Sequence, residues 1–429
     1  MVNTQTKKMF TTVVSDKVRS GLIAALDLGT TKACCLIAKP QPEGGFEIHG
    51  IGHQISHGLQ SGTVIDMERT EFTIRSTIEA AEKMAGENIR NVIVNVSCGE
   101  PLSRLIAYEI SIAGHEIGDN DLRRLLDPAG LPESENSKQQ LIHLIPVGYS
   151  VDGNRGVRDP RGLYGQSLGV NMHLVTAARA PIQNLEQGIS RCHLNICGKV
   201  ITPYASALAC VSQDEANLGV TCIDMGGGTT TISVFFDGEL VFVDSIPVGG
   251  LHVTKDIARG LSTPFSHAER MKTLYGSAIP TPSDNNEIIK VPLIGEEETG
   301  EINQVPRSVL IGIIRPRIEE TLELVRDRLV DAGFDKVAGR RIVLTGGASQ
   351  LSGAKEISEL ILDKQVRHGK PHVVCGLAES VSGPAFSTSV GLLHFAFNSP
   401  VKEANNAYRP ADEPNSRFAR FGQWLRESF

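Results

Sequence analysis

The chain has the size and composition of a globular protein with more than one domain. Its 429 residues exceed what one hydrophobic core usually serves, and 41% hydrophobic and 21% charged residues are typical of a soluble protein. The net charge of −7 argues against a nucleic-acid binder, which needs a basic surface. We recognise neither a signal peptide nor a stretch of membrane-spanning length. The composition therefore predicts a cytosolic protein, unless another feature attaches it to a membrane.

Cysteine and histidine spacing gives no metal site. The eight cysteines lack the paired spacing of zinc or iron–sulfur centres and are expected to be small buried side chains in a reducing compartment. His49, His53 and His57 have the spacing of a helical metal face, but the glycines between and after them argue against a helix. We expect these histidines in a loop or on the surface.

After a polar tail of residues 1–18, the first element is a strand, a tight turn and a second strand. The apolar run 23–26 leads into Asp27, a glycine and a threonine-rich turn, and the apolar run 33–37 leads out. The pattern continues with a strand at 46–51, a helix at 70–85 and a buried strand at 92–96. The predicted apolar face of the helix consists of Phe72, Ile74, Ile78, Ala81 and Met84.

Residues 99–178 follow a different pattern. Strands are predicted at 105–112, 141–147 and 172–177, around a helix at 120–126 and two polar, glycine-rich loops. A helix at 182–192 follows the last of these strands.

The strand–turn–strand element then occurs a second time. An apolar run leads into Asp224, three glycines and three threonines, and 232–236 leads out. Glycines let backbone N–H groups crowd around an anion, and an acid beside such a turn makes sense if a divalent cation lies between carboxylate and phosphate. One such loop is equally well an ordinary hairpin. Two like loops instead predict two related half-molecules that grip one phosphate chain.

The C-terminal half continues with helices, a third glycine turn and a linker. Helical patterns cover 252–275, with Ser266 as an N-cap, and 309–329; a strand is predicted at 288–294 and a hairpin-like tip at 295–300. A glycine turn at 345–353 follows a strand, and a helix at 354–362, a short strand at 373–375 and a helix at 386–397 come next. Residues 399–416, with three prolines, are a linker.

The last thirteen residues form a predicted amphipathic helix. Its apolar stripe and edge are Phe418, Phe421, Leu425, Phe429 and Trp424, and its cations off the stripe are Arg417, Arg420 and Arg426. So short a helix is marginal in water, whereas an anionic membrane surface would bury the stripe and attract the arginines. The alternative is a helix docked on the protein's own core or on a partner.

Three of these stretches resemble the nucleotide motifs of the actin, Hsp70 and sugar-kinase superfamily. DLGTTK at 27–32 and DMGGGTTT at 224–231 resemble the two phosphate motifs, and TGGASQLSG at 345–353 resembles the adenosine motif. From residue 21 to the C-terminus the chain resembles the FtsA family of bacterial cell-division proteins. That likeness includes segments 50–58, 143–146, 388–394 and 424–429, which superfamily membership does not require.

The resemblance implies an α/β, actin-like (ribonuclease H-like) fold of two duplicated lobes around an ATP site. It divides the chain into lobe 1A (19–98 and 179–218), subdomain 1C (99–178), lobe 2A (219–250 and 340–398), subdomain 2B (251–339), linker (399–416) and membrane-targeting helix (417–429).

The resemblance also implies the ligands of ATP and Mg²⁺. Asp27 and Asp224 would hold Mg²⁺ through waters. Glu269 and Lys272 would bracket the adenosine unless they form a plain surface ion pair. The phosphates would be held by Gly29, Thr30, Thr31, Lys32, Gly226, Gly227, Gly228 and Thr229. The adenosine would also contact Gly346, Gly347 and Ser349. Near the first connecting helix only Tyr204 and Ser206 are polar, and neither is a convincing base, so hydrolysis is expected to be slow at most.

The same resemblance implies that the protein would tether FtsZ filaments to the inner face of the cytoplasmic membrane at the division septum. Subdomain 2B would bind the C-terminal tail of FtsZ, where Arg307, Arg315 and Arg317 could meet an acidic peptide or form a solvated helix face. Subdomain 1C would contact neighbouring subunits and later division proteins, and ATP would control self-association into filaments.

Two alternatives stay open. A small-molecule kinase of the same superfamily would need a carboxylate base aimed at the γ-phosphate, and the sequence offers no clear candidate. Another actin-like scaffold, of the pilus-assembly PilM or rod-shape MreB type, would not be expected to end in such an anchor. An Hsp70 chaperone is excluded because no substrate-binding domain follows the ATPase.

Overall fold

The computed structural model describes residues 21–127, 138–295 and 302–398. Its strands are β1 (Ile23–Leu28), β2 (Lys32–Pro40), β3 (Phe46–Ile55), β4 (Leu59–Gln60), β5 (Thr63–Val64), β6 (Asn91–Val96), β7 (Leu102–Ser111), β8 (Gln139–Val151), β9 (Asn154–Val157), β10 (Ser167–Ala178), β11 (Asn195–Ile201), β12 (Val220–Met225), β13 (Thr230–Phe236), β14 (Glu239–Ile246), β15 (Ile288–Pro292), β16 (Ile302–Pro306), β17 (Arg341–Thr345) and β18 (Gln365–His368). Its α-helices are α1 (Met67–Ala85), α2 (Asp119–Leu125), α3 (Arg179–Arg191), α4 (Thr202–Cys210), α5 (Gln213–Leu218), α6 (Gly250–Gly260), α7 (Phe265–Tyr275), α8 (Arg307–Asp331), α9 (Ala354–Leu362) and α10 (Ser387–Asn398).

Two five-stranded sheets share one topology. The first has the strand order β3–β2–β1–β6–β11 and the second the order β14–β13–β12–β17–β18. In each sheet the first three strands pair antiparallel and the last three pair parallel. The duplication predicted from the two aspartate–glycine hairpins is therefore present in the whole sheet, not only in the loops.

Two helices lie between the sheets, and each packs mainly on the sheet that does not directly precede it in the chain. In this sense the two sheets exchange helices. Helix α4 follows the last strand of the first sheet but packs on β12, β13 and β14 of the second, whereas α10 packs on β1, β2 and β6 of the first. Side chains from both helices and both sheets form one buried cluster. At their crossing, Gly391 of α10 lies so close to Ala205 of α4 that a Cβ on Gly391 would overlap the Ala205 carbonyl oxygen.

The outer face of the first sheet is covered by α1 and α3. In α1, Ile74, Ile78 and Ala81 are buried as predicted, but Phe72 is 70% exposed and Met84 is 57% exposed. At 100° per residue, Phe72 points about 160° away from Ile74, so it lies on the opposite face of the helix. The prediction that Phe72 and Met84 belong to the apolar face was wrong.

An insertion between β6 and α3 forms a separate sheet of order β7–β10–β8–β9, with α2 against it and its own apolar cluster. This sheet touches β14 of the second lobe through a closed hydrogen-bond chain. The Val243 amide donates to Ser103 Oγ (3.3 Å), Ser103 donates to His173 Nε2 (2.6 Å), and His173 Nδ1 donates to the Leu240 carbonyl (2.9 Å). The Ser103 hydroxyl and both ring nitrogens of His173 therefore have partners at this contact.

Two local predictions were wrong. Residues 373–375 form no strand. Within this segment, only Cys375 makes an isolated bridge, to Glu47 of β3. Helix α7 begins at Phe265 after Pro264, so Ser266 lies in its first turn instead of capping it. The predicted tail (1–18), most of the hairpin tip (295–300), the linker (399–416) and the amphipathic helix (417–429) lie outside the described residues.

Candidate functional site

The two hairpin turns meet between the lobes. Each turn is closed by a hydrogen bond between its first glycine and its fourth residue, from Gly29 N to Lys32 O (3.0 Å) and from Gly226 N to Thr229 O (2.9 Å). Across the cleft, a Cβ on Gly228 would lie 2.5 Å from Thr30 Oγ1. The same test on Gly227 places a Cβ 2.5 Å from the Thr31 methyl group. Glycine is thus required here because the opposite loop occupies the space of a side chain.

Asp27 and Asp224 lie at the ends of β1 and β12, at the base of these turns. Both are 7% exposed. Asp27 accepts a hydrogen bond from Ser389 Oγ (3.0 Å), and Asp224 accepts one from Thr388 Oγ1 (3.2 Å). The two carboxylates enter the cleft from different lobes.

The electrostatics of this pair favour a cation. Burial raises the pKa of Asp27, opposed by the charge of Lys32. Burial, and then the charge of Asp27, raise the pKa of Asp224 to about 6. Two buried carboxylates that repel each other are stabilised by a divalent cation with oxygen ligands. The residues present therefore fit Mg²⁺ together with a phosphate chain.

Lys32 supplies positive charge beside the aspartates. Its Nζ donates to the Ala385 carbonyl (2.5 Å) and lies 3.1 Å from the centroid of the Phe386 ring. Burial lowers the pKa of Lys32, opposed by the charge of Asp27. The ammonium is thus held at the cleft wall by contacts with the segment that precedes α10.

The third glycine turn closes the cleft on the side of the second lobe. Gly346 has a φ of +90°, and a Cβ there would overlap Asp224 Oδ1, so the turn needs glycine for conformation and for space. Gly347 lines the cleft. Ser349 is fully buried and donates to the Gly346 carbonyl (2.7 Å), so its hydroxyl stabilises the turn.

Glu269 and Lys272 lie on one face of α7 and are ion-paired at 2.8 Å. Lys272 Nζ also donates to the Gly250 carbonyl (3.1 Å) and to Thr254 Oγ1 (2.9 Å). The pair adjoins the third glycine turn, since a Cβ on Gly250 would lie 3.0 Å from the Ala348 side chain and 3.7 Å from Lys272 Nζ. Neither residue is among the described residues that line the cleft itself. Their role toward adenosine stays a prediction.

The cleft of about 170 Å³ brings together the aspartates and the predicted phosphate-binding residues. Its wall also contains residues that the sequence did not single out: Asn95, Ser97, Thr202, Thr231, Pro384, Ala385 and Thr388. Asn95 was detectable, because it interrupts an apolar strand, and its Oδ1 accepts from the Leu28 amide (2.7 Å). Thr231 Oγ1 is buried without a hydrogen-bond partner in the described structure, which suits a polar ligand in the cleft.

Tyr204 and Ser206 both lie in α4, and their side chains make internal contacts. Tyr204 packs against the rings of His143 and Phe395, and burial raises its pKa. Ser206 is fully buried, and its Oγ donates to the Pro203 carbonyl (3.4 Å). Their surroundings explain why neither has the character of a general base.

The predicted membrane-binding residues, Arg417, Phe418, Arg420, Phe421, Trp424, Leu425, Arg426 and Phe429, lie outside the described residues. Within the described part of the chain, no helix is long and apolar enough to cross a membrane.

Comparison with known proteins places this architecture in a family. A family model described as "Cell division protein FtsA" matches residues 221–391, and one described as "SHS2 domain inserted in FTSA" matches residues 102–176, the insertion around β7–β10. The chain is 46% identical over 423 residues to "Cell division protein FtsA" from Rhizobium meliloti (strain 1021), with 96% of each chain covered.

Two solved structures share the fold of this chain. The chain resembles one from a "PilM-PilN type IV pilus biogenesis complex" with a TM-score of 0.62 and 15% identity, covering 88% of this chain and 99% of that one. It resembles MreB5 of Spiroplasma citri bound to ADP with a TM-score of 0.52 and 14% identity, covering 88% and 96%. The predicted actin-like α/β fold is confirmed.

Proposed function

Because the chain belongs to the FtsA family of cell-division proteins, we propose that it binds Mg²⁺·ATP between its lobes and tethers FtsZ filaments to the inner face of the cytoplasmic membrane at the division septum. The proposal of nucleotide binding rests on one observation: two buried aspartates, one from each lobe, lie at the base of two glycine turns that touch.

The chain's own residues would act on the phosphate chain by position and charge. Backbone N–H groups of the two glycine turns, with Lys32, would hold the phosphates, and Asp27 and Asp224 would hold Mg²⁺, directly or through waters. The metal, when bound, supplies the positive charge that lets carboxylates and phosphates share one cleft. Closure of the cleft by ligand would then favour one arrangement of the lobes and, in turn, self-association into filaments.

Subdomain 2B is the proposed site for the FtsZ tail, and its arginines are engaged within the fold. Arg307 contacts Asp284 (2.9 Å), Arg315 contacts Glu319 (2.7 Å), and Arg317 contacts Asp256 (2.6 Å). An acidic peptide would have to share these cations with internal carboxylates. Among the three, Arg307 is the best placed, because it contacts the Tyr275 backbone and follows the strand pair β15–β16, where Ile288 is exposed.

The docking surface consists of Arg307 with Tyr275 and Ile288. Arg307 Nε donates to the Tyr275 carbonyl (2.8 Å), and Ile288 pairs with the residue that precedes Arg307. The two apolar side chains are 38% and 52% exposed. Apolar anchors around one cation suit a short peptide with acidic and hydrophobic residues.

Membrane attachment is assigned to the last thirteen residues, and contacts with later division proteins are assigned to the sheet β7–β10 of subdomain 1C. Both assignments rest on the family. The apolar stripe and three arginines of residues 417–429 provide the physical basis for binding an anionic surface.

The test is co-sedimentation with anionic liposomes, using the full chain and a chain that ends at residue 415, with Mg²⁺·ATP and an FtsZ C-terminal peptide. We expect only the full chain to pellet and to carry the peptide down. Ile288→Ser should release the peptide while the protein still pellets. Leu360→Ser on α9, where Leu360 is 70% exposed, is the matched control. If both chains stay in solution and ignore the peptide, the tether function is wrong.

A further inference from the structure

The first turn of α10 contains three consecutive hydroxyl side chains that face three different partners. Ser387 Oγ lies 2.7 Å from Thr345 Oγ1 of β17. Thr388 donates to Asp224, and Ser389 donates to Asp27. Neighbouring residues of a helix point about 100° apart, so two adjacent side chains can reach carboxylates on opposite walls of the cleft. One helical turn thus contacts the key acid of each lobe.

The position of this turn is fixed by the helix crossing. Gly391, within one turn of Ser389, lies against the backbone of Ala205, and no larger residue could take its place without moving a helix. Ser206, the neighbour of Ala205, is buried at the same crossing and donates to the Pro203 carbonyl (3.4 Å). Thr388 is 7% exposed, and Ser389 and Ser206 are fully buried, so water cannot replace their hydroxyl groups easily.

These contacts differ from those that serine and threonine usually make at the start of a helix. There, the hydroxyl usually accepts a hydrogen bond from a backbone N–H of the first turn. Thr388 and Ser389 instead donate to side-chain carboxylates that lie far away in the sequence, by 164 and 362 residues. Each donated bond occupies one carboxylate oxygen in a set direction and leaves the remaining lone pairs for a cation or its waters.

We propose that Thr388 and Ser389 are positioning residues for the divalent cation: together they orient Asp224 and Asp27, from opposite lobes, toward one shared metal. This inference rests on the proposed function, since it assigns residues to the same Mg²⁺·nucleotide site. It makes the start of α10 the element through which the two half-sites become one site.

A positioning role of Thr388 and Ser389 can be distinguished by measurement from a purely structural role. A structural hydroxyl changes the stability of the protein and leaves the metal dependence of nucleotide binding alone. A positioning hydroxyl changes metal affinity, because an outer-shell partner sets the direction of its ligand, and loss of such partners typically weakens metal binding by about 10–100-fold.

The experiment measures binding of ADP to the full chain in Mn²⁺ and in EDTA, and the affinity of the ADP complex for Mn²⁺ by electron paramagnetic resonance. Thr388→Val keeps the shape but removes the hydroxyl, and Thr388→Ser keeps the hydroxyl. Ser389→Ala tests the second position. Ser358→Ala is the matched control, because Ser358 is also fully buried in a helix and donates to the Ala354 carbonyl (2.7 Å) far from the cleft.

We expect Thr388→Val and Ser389→Ala each to weaken Mn²⁺ binding about 10–100-fold. Thr388→Ser and Ser358→Ala should match the unaltered chain, and ADP affinity in EDTA should be unchanged in all four. Thermal unfolding identifies a variant that has lost its fold, and the remaining position then decides the outcome. Unchanged Mn²⁺ affinity in a folded Thr388→Val or Ser389→Ala variant overturns the proposal. The proposed function itself fails, and this inference with it, if the unaltered chain shows no metal-dependent ADP binding.

Discussion

Gly391 of α10 lies directly against the carbonyl oxygen of Ala205 of α4, so the two helices between the sheets touch through their backbones. Such close approach is possible only without a side chain at the crossing. The two aspartates, the hydroxyls that contact them and the third glycine turn all lie near this crossing. Its geometry therefore determines both stability and the shape of the cleft.

We predict that Gly391→Ala destabilises the fold, on the order of 3 kcal/mol, because the new methyl group must push two packed helices apart. Gly312→Ala is the matched control in α8, since its Cβ would meet nothing within 4 Å. That change should stabilise the protein by up to about 1 kcal/mol, through helix propensity. Urea denaturation of both variants checks the difference. Equal stability of the two would show that the crossing tolerates a side chain.

Asp224→Asn should weaken metal-dependent nucleotide binding by more than the roughly 10–100-fold that loss of an outer-shell partner costs. An amide keeps the size of the side chain and removes the charge that holds the cation. Asp237→Asn is the control, because Asp237 lies in the β13–β14 turn with a φ of 51°, where asparagine is tolerated. Isothermal titration with ADP, with and without Mg²⁺, measures the effect. The assignment of Asp224 as a metal ligand is wrong if the two variants behave alike.

Lys272→Met tests whether the Glu269–Lys272 pair recognises adenosine. If it does, affinity for ADP should fall about tenfold, the equivalent of one charge-assisted hydrogen bond, while affinity for pyrophosphate should not change. Lys355→Met is the control, since Lys355 forms a comparable helical pair with Glu359 at 3.8 Å. Competition binding with both ligands separates the two cases. An unchanged ADP affinity would leave the pair as a surface ion pair.

The protein should lose stability as the pH falls below 6.5, because buried histidines must take up protons. Burial lowers the pKa of His143 to about 3 and the pKa values of His173 and His394 to about 4. A histidine that binds its proton more weakly when folded stabilises the native state above the unfolded-state pKa and loses this contribution as the pH falls toward its folded-state pKa. Each contributes roughly 1 kcal/mol per pH unit over that range.

The raised pKa of Asp224 acts in the opposite direction between its ordinary value of 3.8 and about 6, so it offsets part of the slope. Urea denaturation between pH 7.5 and 5 measures the sum. His173→Gln keeps a donor and an acceptor at the contact with Leu240 and should have a shallower pH dependence. The same slope in that variant would show that His173 does not contribute.

Local sequence patterns were enough to predict the hairpin turns and most helices. An apolar strand followed by aspartate, glycine and threonines specifies its own turn, and β1–β2 and β12–β13 appear where they were expected. Helix α9 has the predicted bounds, Ala354–Leu362. These turns and helices depend on residues within a few positions of one another, so the local sequence is sufficient to predict them.

Contacts created by the exchange of helices were not predictable in this way. Thr388 and Ser389 look like ordinary helix-start residues, and only the packing of α10 on the first sheet brings them to Asp27 and Asp224. The pairing of Arg317 with Asp256 on another helix is likewise absent from the local pattern. Phe72 was misplaced although helical periodicity alone puts it about 160° from Ile74, so the sequence already contained the information to leave it off the apolar face.

The exchange of α4 and α10 has a consequence for biosynthesis. The strands of the first sheet are complete at Ile201, but α10, which covers one face of it, begins only at Ser387. During synthesis on the ribosome, that apolar face therefore stays uncovered until α10 has been made. Residues 399–429 follow α10 directly in the sequence, so they are synthesised only after both lobes have all their helices. A product truncated before Ser387 lacks both the segment assigned to the membrane and the helix that completes the first lobe.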